Sequence, residues 1–338
     1  MKTWAVTVTY GNRFHLLQQG IESLIREGVS KIIVVDNHSE PLNRTRLKEF
    51  EEYLKGKLRV IYLPENTGSA GGFKRGMEEA CNDKECEFLW LLDDDNRPRK
   101  GALKALTYFW NQLKENRKEE TIALMSFRED RGKYKEAVLM GKPDHALGRK
   151  NSFLGFHGLD FPGEILRRVG QFSSPGKDRS LSSGQGFGTV SATPYGGMFF
   201  HKRLLDHIGY PKPELFLYGD DFEFSYRITE KGGKIFLLLS SVVEDLEKSW
   251  HMKKKQKIFE TPLVTETDAF RLYYHTRNRV YFEKRHRVTN PMIYFLNQRL
   301  LLAMVWVLSL SKGSSNSKIL KKAINDANKG KLGTHPIF

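Results

Sequence analysis

The sequence predicts an α/β fold built on a doubly wound, mostly parallel sheet with helices on its faces. Two observations carry this. Short apolar runs alternate with amphipathic runs through the first third of the chain, and two of the apolar runs end abruptly in acidic residues. In open α/β sheets, ligands sit just beyond such strand ends.

The elements follow in order. Residues 4–9 (Trp-Ala-Val-Thr-Val-Thr) read as a strand, and residues 14–26 have helical spacing. Residues 31–35 form a buried strand that ends in Asp36-Asn37. Residues 42–54 read as a charged amphipathic helix and residues 58–62 as a third strand. Residues 72–81 read as a helix entered through a glycine-rich turn, and residues 88–92 as a fourth strand ending at Asp93-Asp94-Asp95. This β-α-β-α-β-α-β order implies parallel pairing. From Arg128 to Thr193 the sequence lacks periodicity, which predicts a long functional or mobile loop. Order returns at Tyr195-Gly196-Gly197. Asp220-Asp221-Phe222-Glu223 then opens a helix, where the helix dipole favours acidic residues. Residues 235–239 form a short strand, and beyond Trp250 the chain is helical and basic. The expected division is a catalytic domain over residues 1–245 and a helical region over residues 246–338.

Composition narrows the function. The chain has 338 residues, 39% of them hydrophobic, enough for a substantial core. Its 55 basic residues less its 40 acidic ones leave +15, a balance that calls for an anionic partner. Nucleic acid is one such partner, but no helix-turn-helix, zinc or RNA-recognition signature is present. Strand-to-Asp junctions would also serve a polyanion binder poorly. Two cysteines, Cys81 and Cys86, are too few for a disulfide framework and fit a reducing compartment. The N-terminus enters a strand at once with no signal peptide, so a cytoplasmic protein is expected. Pro291–Leu310 is largely apolar but interrupted by Asn297-Gln298-Arg299. Its clean part, residues 300–310, is too short to cross a bilayer, which predicts a core or interfacial helix. Basic runs flank it: Lys253-Lys254-Lys255-Gln256-Lys257, Arg285-His286-Arg287 and residues 318–331. They suggest attachment at the inner face of an anionic cell membrane, with a solvated basic face as the alternative.

Five constellations carry chemistry. At Asp93-Asp94-Asp95, alternate residues of a strand end point the same way, so Asp93 and Asp95 could share a hard cation, Mg²⁺ or Mn²⁺. The bland alternative is a solvated turn capping the next helix. Between strand and helix lies Glu65-Asn66-Thr67-Gly68-Ser69-Ala70-Gly71-Gly72-Phe73-Lys74-Arg75. Its glycines would admit a ligand, and a helix N-terminus favours phosphate. Asp36-Asn37 could meet a ribose or base edge, or simply form an Asx turn. In Asp220-Asp221, paired carboxylates raise one another's pKa, which suits a general base. His251, after Trp250, gains meaning only if it lies near the triplet.

In this order, these pieces resemble the family 2 glycosyltransferases of the GT-A fold. The resemblance runs from Val8-Thr9-Tyr10-Gly11-Asn12-Arg13 through Trp250-His251 to Tyr273-Tyr274-His275-Thr276-Arg277-Asn278. The branch most similar is the galactofuranosyltransferases, which combine a triple Asp, an Asn-x-Gly-x-x-Gly-Gly turn, a paired Asp and a Trp-His-Met. Rhamnosyltransferases using dTDP-rhamnose share much of this. The resemblance implies an inverting, metal-dependent hexosyltransferase acting in bacterial cell-surface polysaccharide synthesis. It would move galactofuranose from UDP-galactofuranose to a saccharide acceptor, often lipid-linked. It places Asp36 on the uridine and Asn66 and Arg75 near the nucleotide and its diphosphate, with Thr9 and Gly71 in the same donor-binding set. Asp94 would sit between nucleotide and sugar. Asp93, Asp95 and His251 would hold Mn²⁺ or Mg²⁺, Asp221 would be the base, and Asp220 would bind acceptor or sugar hydroxyls. A sugar nucleotidyltransferase is the nearest rival, but the loop after the first strand, Tyr10-Gly11-Asn12-Arg13-Phe14, matches it poorly.

Overall fold

The computed structural model describes residues 1–160, 186–247, 262–312 and 316–334. The chain forms two compact units. The first holds the sheet; among the described residues it spans 1–146, 186–216 and 220–247. The second spans 147–160, 217–219, 262–312 and 316–334.

The first unit opens as expected with β1 (Thr3–Thr9), α1 (Phe14–Glu27), β2 (Lys31–Asp36), α2 (Pro41–Tyr53), β3 (Leu58–Tyr62), α3 (Gly68–Asn82) and β4 (Phe88–Asp93). β1 pairs in parallel with both β2 and β4, and β2 with β3. Next come β5 (Asn96–Pro98), α4 (Ala102–Gln112), a single turn α5 (Lys118–Thr121), β6 (Ile122–Phe127) and α6 (Gly132–Met140). The unit ends with β7 (Phe187–Val190), β8 (Met198–His201), α7 (Leu204–Ile208), α8 (Asp220–Glu230) and β9 (Lys234–Asp245). Strand order is β3-β2-β1-β4-β8-β6-β9-β5, with β7 also on β9. β8 runs antiparallel to its neighbours β4 and β6.

Alternating side chains explain why these strands read as unbroken apolar runs. Val6, Ile33, Leu89 and Leu91 face one core with Phe73 and Met77 of α3 and Phe224 of α8. Ala5, Ile32, Val34 and Trp90 face the other, with Leu17 and Ile21 of α1 and Leu106 of α4. A sheet buried on both faces loses the polar alternation of a half-exposed one.

Three elements differ from the sequence reading. α3 starts at Gly68, so the glycine-rich segment is itself the first turn of the helix. Residues 132–140 form a helix inside the expected loop, seated through Tyr134 and Ala137. β9 continues to Asp245 because its second half pairs with β5.

The second unit is helical: α9 (Pro262–Thr265), α10 (Ala269–Phe282), a wide turn at Glu283–Arg287, α11 (Pro291–Lys312) and α12 (Asn316–Asn328). Residues 147–160 belong with it, although they fall within the domain expected to end at residue 245. Glu283 accepts the amides of Leu154 and Gly155, at 2.9 and 3.0 Å. Asn297 accepts the amide of Gly158 at 2.9 Å and donates to the carbonyl of Asn151 at 2.9 Å.

Candidate active site

The acidic triplet does not cap a helix. Asp93 closes β4, Asp94 and Asp95 form a tight turn, and Asn96 opens β5. Asn96 holds the turn: its Oδ1 accepts the Asp93 amide at 3.1 Å, and its Nδ2 donates to Asp95 at 3.2 Å and to Asp245 at 2.9 Å. Asp245 is a residue the sequence reading missed. Register pairs it with Asn96 across β5 and β9, which brings a fourth carboxylate to the triplet.

Two arginines meet this cluster. Arg128, buried just past β6, donates to Asp93 at 3.0 Å and to Asp245 at 2.6 Å. Arg13 donates through Nε to both oxygens of Asp94, at 3.0 and 2.9 Å, and reaches Asp95 at 3.6 Å. Thr9 completes the shell of Asp94 with a hydroxyl bond of 2.9 Å. Asp94 is thereby buried and held, whereas Asp93 keeps 37% of its side-chain surface exposed. Four carboxylates face two guanidiniums, so negative charge is in excess. Burial, then the charges of Asp93, Asp94 and Asp245, push Asp95 up to about 7. Burial likewise raises Asp245 despite Arg128. Oxygen donors with uncompensated charge suit a hard divalent cation. Among the described residues, no three carboxylate, imidazole or thiol groups converge on one cation position. His251, the third ligand implied by the resemblance, lies outside the described residues.

The fold brings the second acidic pair to the first. Asp220 and Asp221 open α8. Asp220 is buried and accepts the Ser69 hydroxyl at 2.7 Å. Burial raises both carboxyls, and the charge of Asp93 raises them further; Asp221 feels Asp220 as well, and Arg131 opposes the rise. Asp221 remains partly exposed. The segment Tyr195-Gly196 links the pairs. Buried Tyr195 feels the charge of Asp220. A Cβ on Gly196 would lie 2.3 Å from Asn96 Oδ1 and 2.6 Å from both Arg128 and Asp93. Only glycine fits there without moving the triplet.

The nucleotide-side residues form a separate network. Asp36 is fully buried, paired with Arg44 and accepting the Ser39 amide at 3.2 Å. That is a local turn bond one residue longer than the Asx turn held open as its alternative role. Asn37 bridges to Asn66 at 3.1 Å and to the Gly68 carbonyl at 3.0 Å, and accepts the Thr67 amide at 2.8 Å. The α3 N-terminus already has partners within the protein: Asn66 takes the Gly68 amide at 2.9 Å, and the Phe216 carbonyl takes that of Ala70 at 3.1 Å. Gly68 adopts φ +71 where the Phe216 carbonyl passes. Cβ atoms on Gly71 and Gly72 would each come within 2.6 Å of a side chain, Thr67 and Val8 respectively. Gly72 therefore serves close packing of α3 on β1, while Gly68 and Gly71 admit the Phe216 carbonyl and the Thr67 side chain. Arg75 pairs with Glu79 one turn along at 2.9 Å, and among the described residues no bond takes it to either acidic pair.

The family model for Glycosyl transferase family 2 matches residues 5–151, which cover β1 through the triplet and on past α6. Those residues are similar to a family 2 glycosyltransferase domain. The chain is 26% identical over 240 residues to a galactofuranosyltransferase, GlfT1, of Mycolicibacterium smegmatis. That match covers 68% of this chain and 65% of the relative's length. Among solved structures, the fold is similar to GalNAc-T7 with UDP, GalNAc and Mn²⁺, at a TM-score of 0.54 and 14% identity. The similarity covers 84% of this chain and 48% of that one. It is also similar to the 1–349 portion of S. aureus TarS in complex with UDP-GlcNAc, at a TM-score of 0.50 and 13% identity, covering 97% and 80%. At these identities the structural likeness establishes the GT-A-type fold alone.

Proposed function

We propose that this glycosyltransferase moves galactofuranose from UDP-galactofuranose onto a saccharide acceptor with inversion. Support comes from the galactofuranosyltransferase match and from the meeting of two acidic pairs in one unit, Asp93 with Asp95 and Asp220 with Asp221. The second observation carries the reading. A charge-rich edge for a diphosphate and a proton acceptor beside it are what direct displacement needs.

In this reading, the acceptor hydroxyl attacks the anomeric carbon and a new C–O bond forms. The bond from that carbon to the diphosphate oxygen breaks, and UDP leaves with the electron pair. The hydroxyl proton passes to Asp221. Asp220, fixed by Ser69, orients a hydroxyl of sugar or acceptor. Asp93 and Asp95, with His251, would hold Mn²⁺ or Mg²⁺, which neutralises the departing diphosphate. Arg13 and Arg128 keep the carboxylates aimed and prevent their collapse or mutual repulsion.

A donor screen tests this. UDP-galactofuranose, UDP-galactopyranose and dTDP-rhamnose are supplied with Mn²⁺, and nucleotide release is followed with and without saccharide acceptors. The expected result is acceptor-stimulated release of UDP from UDP-galactofuranose above the other donors. Preference for dTDP-rhamnose would overturn the donor assignment, and no turnover of any donor would overturn the enzyme reading.

A further inference from the structure

α11 is largely apolar, yet most of it is uncovered. Only 22% of its apolar stretch, Pro291–Leu310, is buried, so it is not the core helix that the sequence allowed. Its inner face, Tyr294, Asn297, Leu301 and Val305, recurs at helical spacing and is buried. Its outer face carries Met292, Leu296, Trp306 and Leu310 at 72, 54, 61 and 67% exposure, flanked by Leu300 and Val307. Large apolar stripes of this kind mark a docking surface. One cation interrupts the stripe: Arg299 is exposed, its guanidinium 4.8 Å from the centre of the Phe295 ring. An Arg with an apolar stem and an aromatic beside it can keep its head at a polar surface.

Charge selects the occupant. From Lys284 to Lys331 the sequence holds ten Lys and Arg residues and one acidic residue, Asp326. Asp326 is already taken, by the Tyr273 hydroxyl at 2.7 Å. A second copy of this chain would bring the same excess of positive charge against it. An anionic lipid surface supplies both an apolar bed and the opposite charge.

Geometry selects the orientation. Three residues separate α11 from α12, and α12 runs back so that Asn328 accepts the Lys284 side chain at 2.9 Å, just ahead of α11. If α11 crossed a bilayer, α12 would be drawn into hydrocarbon with Lys318, Lys321 and Lys322, which is prohibitive for that many cations. The buried Asn297, bound to residues 151 and 158, ties the inner face to the protein. We infer that α11 lies flat in the surface of an anionic bilayer, with its Met292–Leu296–Trp306–Leu310 face among the acyl chains. This inference does not depend on the donor sugar or on the assigned base.

The test is sedimentation of the full-length protein with vesicles of phosphatidylcholine alone and with 30% phosphatidylglycerol. Binding is expected to the anionic vesicles, to weaken with added salt, and to be released by alkaline carbonate. Leu296→Ser with Trp306→Ser should weaken it about tenfold or more while the melting temperature is kept, since both side chains are exposed. Lys318→Glu with Lys321→Glu should remove the preference for anionic lipid. Equal binding to neutral vesicles, resistance to carbonate, unchanged binding by the Ser variant, or dimerisation without binding would each overturn the inference.

Discussion

The two acidic clusters of the first unit share a residue type and differ in how their charge is met. At Asp93–Asp95 the partners are cations, Arg13 and Arg128, with Asn96 holding the turn. At Asp220-Asp221 the close partners are neutral, the Ser69 hydroxyl and backbone amides. Arginine holds the triplet's carboxylates in place and opposes the rise that burial causes, which Asp94 and Asp95 nonetheless show. A carboxylate among neutral groups, partly desolvated and beside another, holds its proton more readily. The first arrangement suits charge recognition and the second proton transfer. One amino acid thus meets two different electrostatic settings.

Replacing Arg128 should have the largest effect. Arg128→Met leaves buried Asp245, and the half-exposed Asp93 beside it, without their common partner, a loss of about 3–5 kcal/mol. Urea denaturation at pH 8 should show this. The deficit should shrink at pH 5, where the orphaned carboxyls can take protons.

Next in size is the coupling between pH and a divalent cation. Asp95 is pushed up to about 7 in the fold, so it binds its proton more tightly there than in the unfolded chain. Its contribution to stability is full below pH ~4 and is lost as pH rises through the folded value. Mn²⁺ should therefore raise the melting temperature more at pH 8 than at pH 5. Equal shifts at both pH values would mean that the triplet is not where the ion acts.

Two smaller changes probe each cluster separately. Gly196→Ala forces a methyl group against Asn96, Arg128 and Asp93, an overpacking effect of about 1–3 kcal/mol. Its larger consequence should be on transfer rate, because the triplet must shift. Ser69→Ala removes one hydrogen bond from buried Asp220, worth about 1 kcal/mol. It should also move the acid limb of the pH–rate profile upward, whereas Gly196→Ala should leave that limb in place.

Much of the sheet was legible in the sequence because β1–β4 are buried on both faces, and such strands announce themselves as apolar runs. The triplet was legible because charge stands out after such a run. Asp245 was not: it reaches the triplet through pairing of β5 with β9, across 149 residues. Arg128 carried a usable signal. It follows a buried strand directly, and the rule that drew attention to Asp36 and Asp93 applies equally to a basic residue. The glycine-rich segment did not announce its packing role, since its spacing suits a ligand cradle and tight helix–strand packing alike. Only the clash of an added Cβ on Gly72 with Val8 shows the packing role.

In the proposed reaction Asp221 takes the acceptor's proton beside a charge-based donor site. Burial and Asp220 push its carboxyl up to about 8. Its direct test is Asp221→Asn, with UDP-sugar affinity measured by calorimetry and transfer by single-turnover product formation. A base of this kind contributes about 10²–10⁴-fold. Transfer is expected to fall by that factor with donor affinity within about twofold of wild type. Near wild-type transfer at unchanged donor affinity would contradict it.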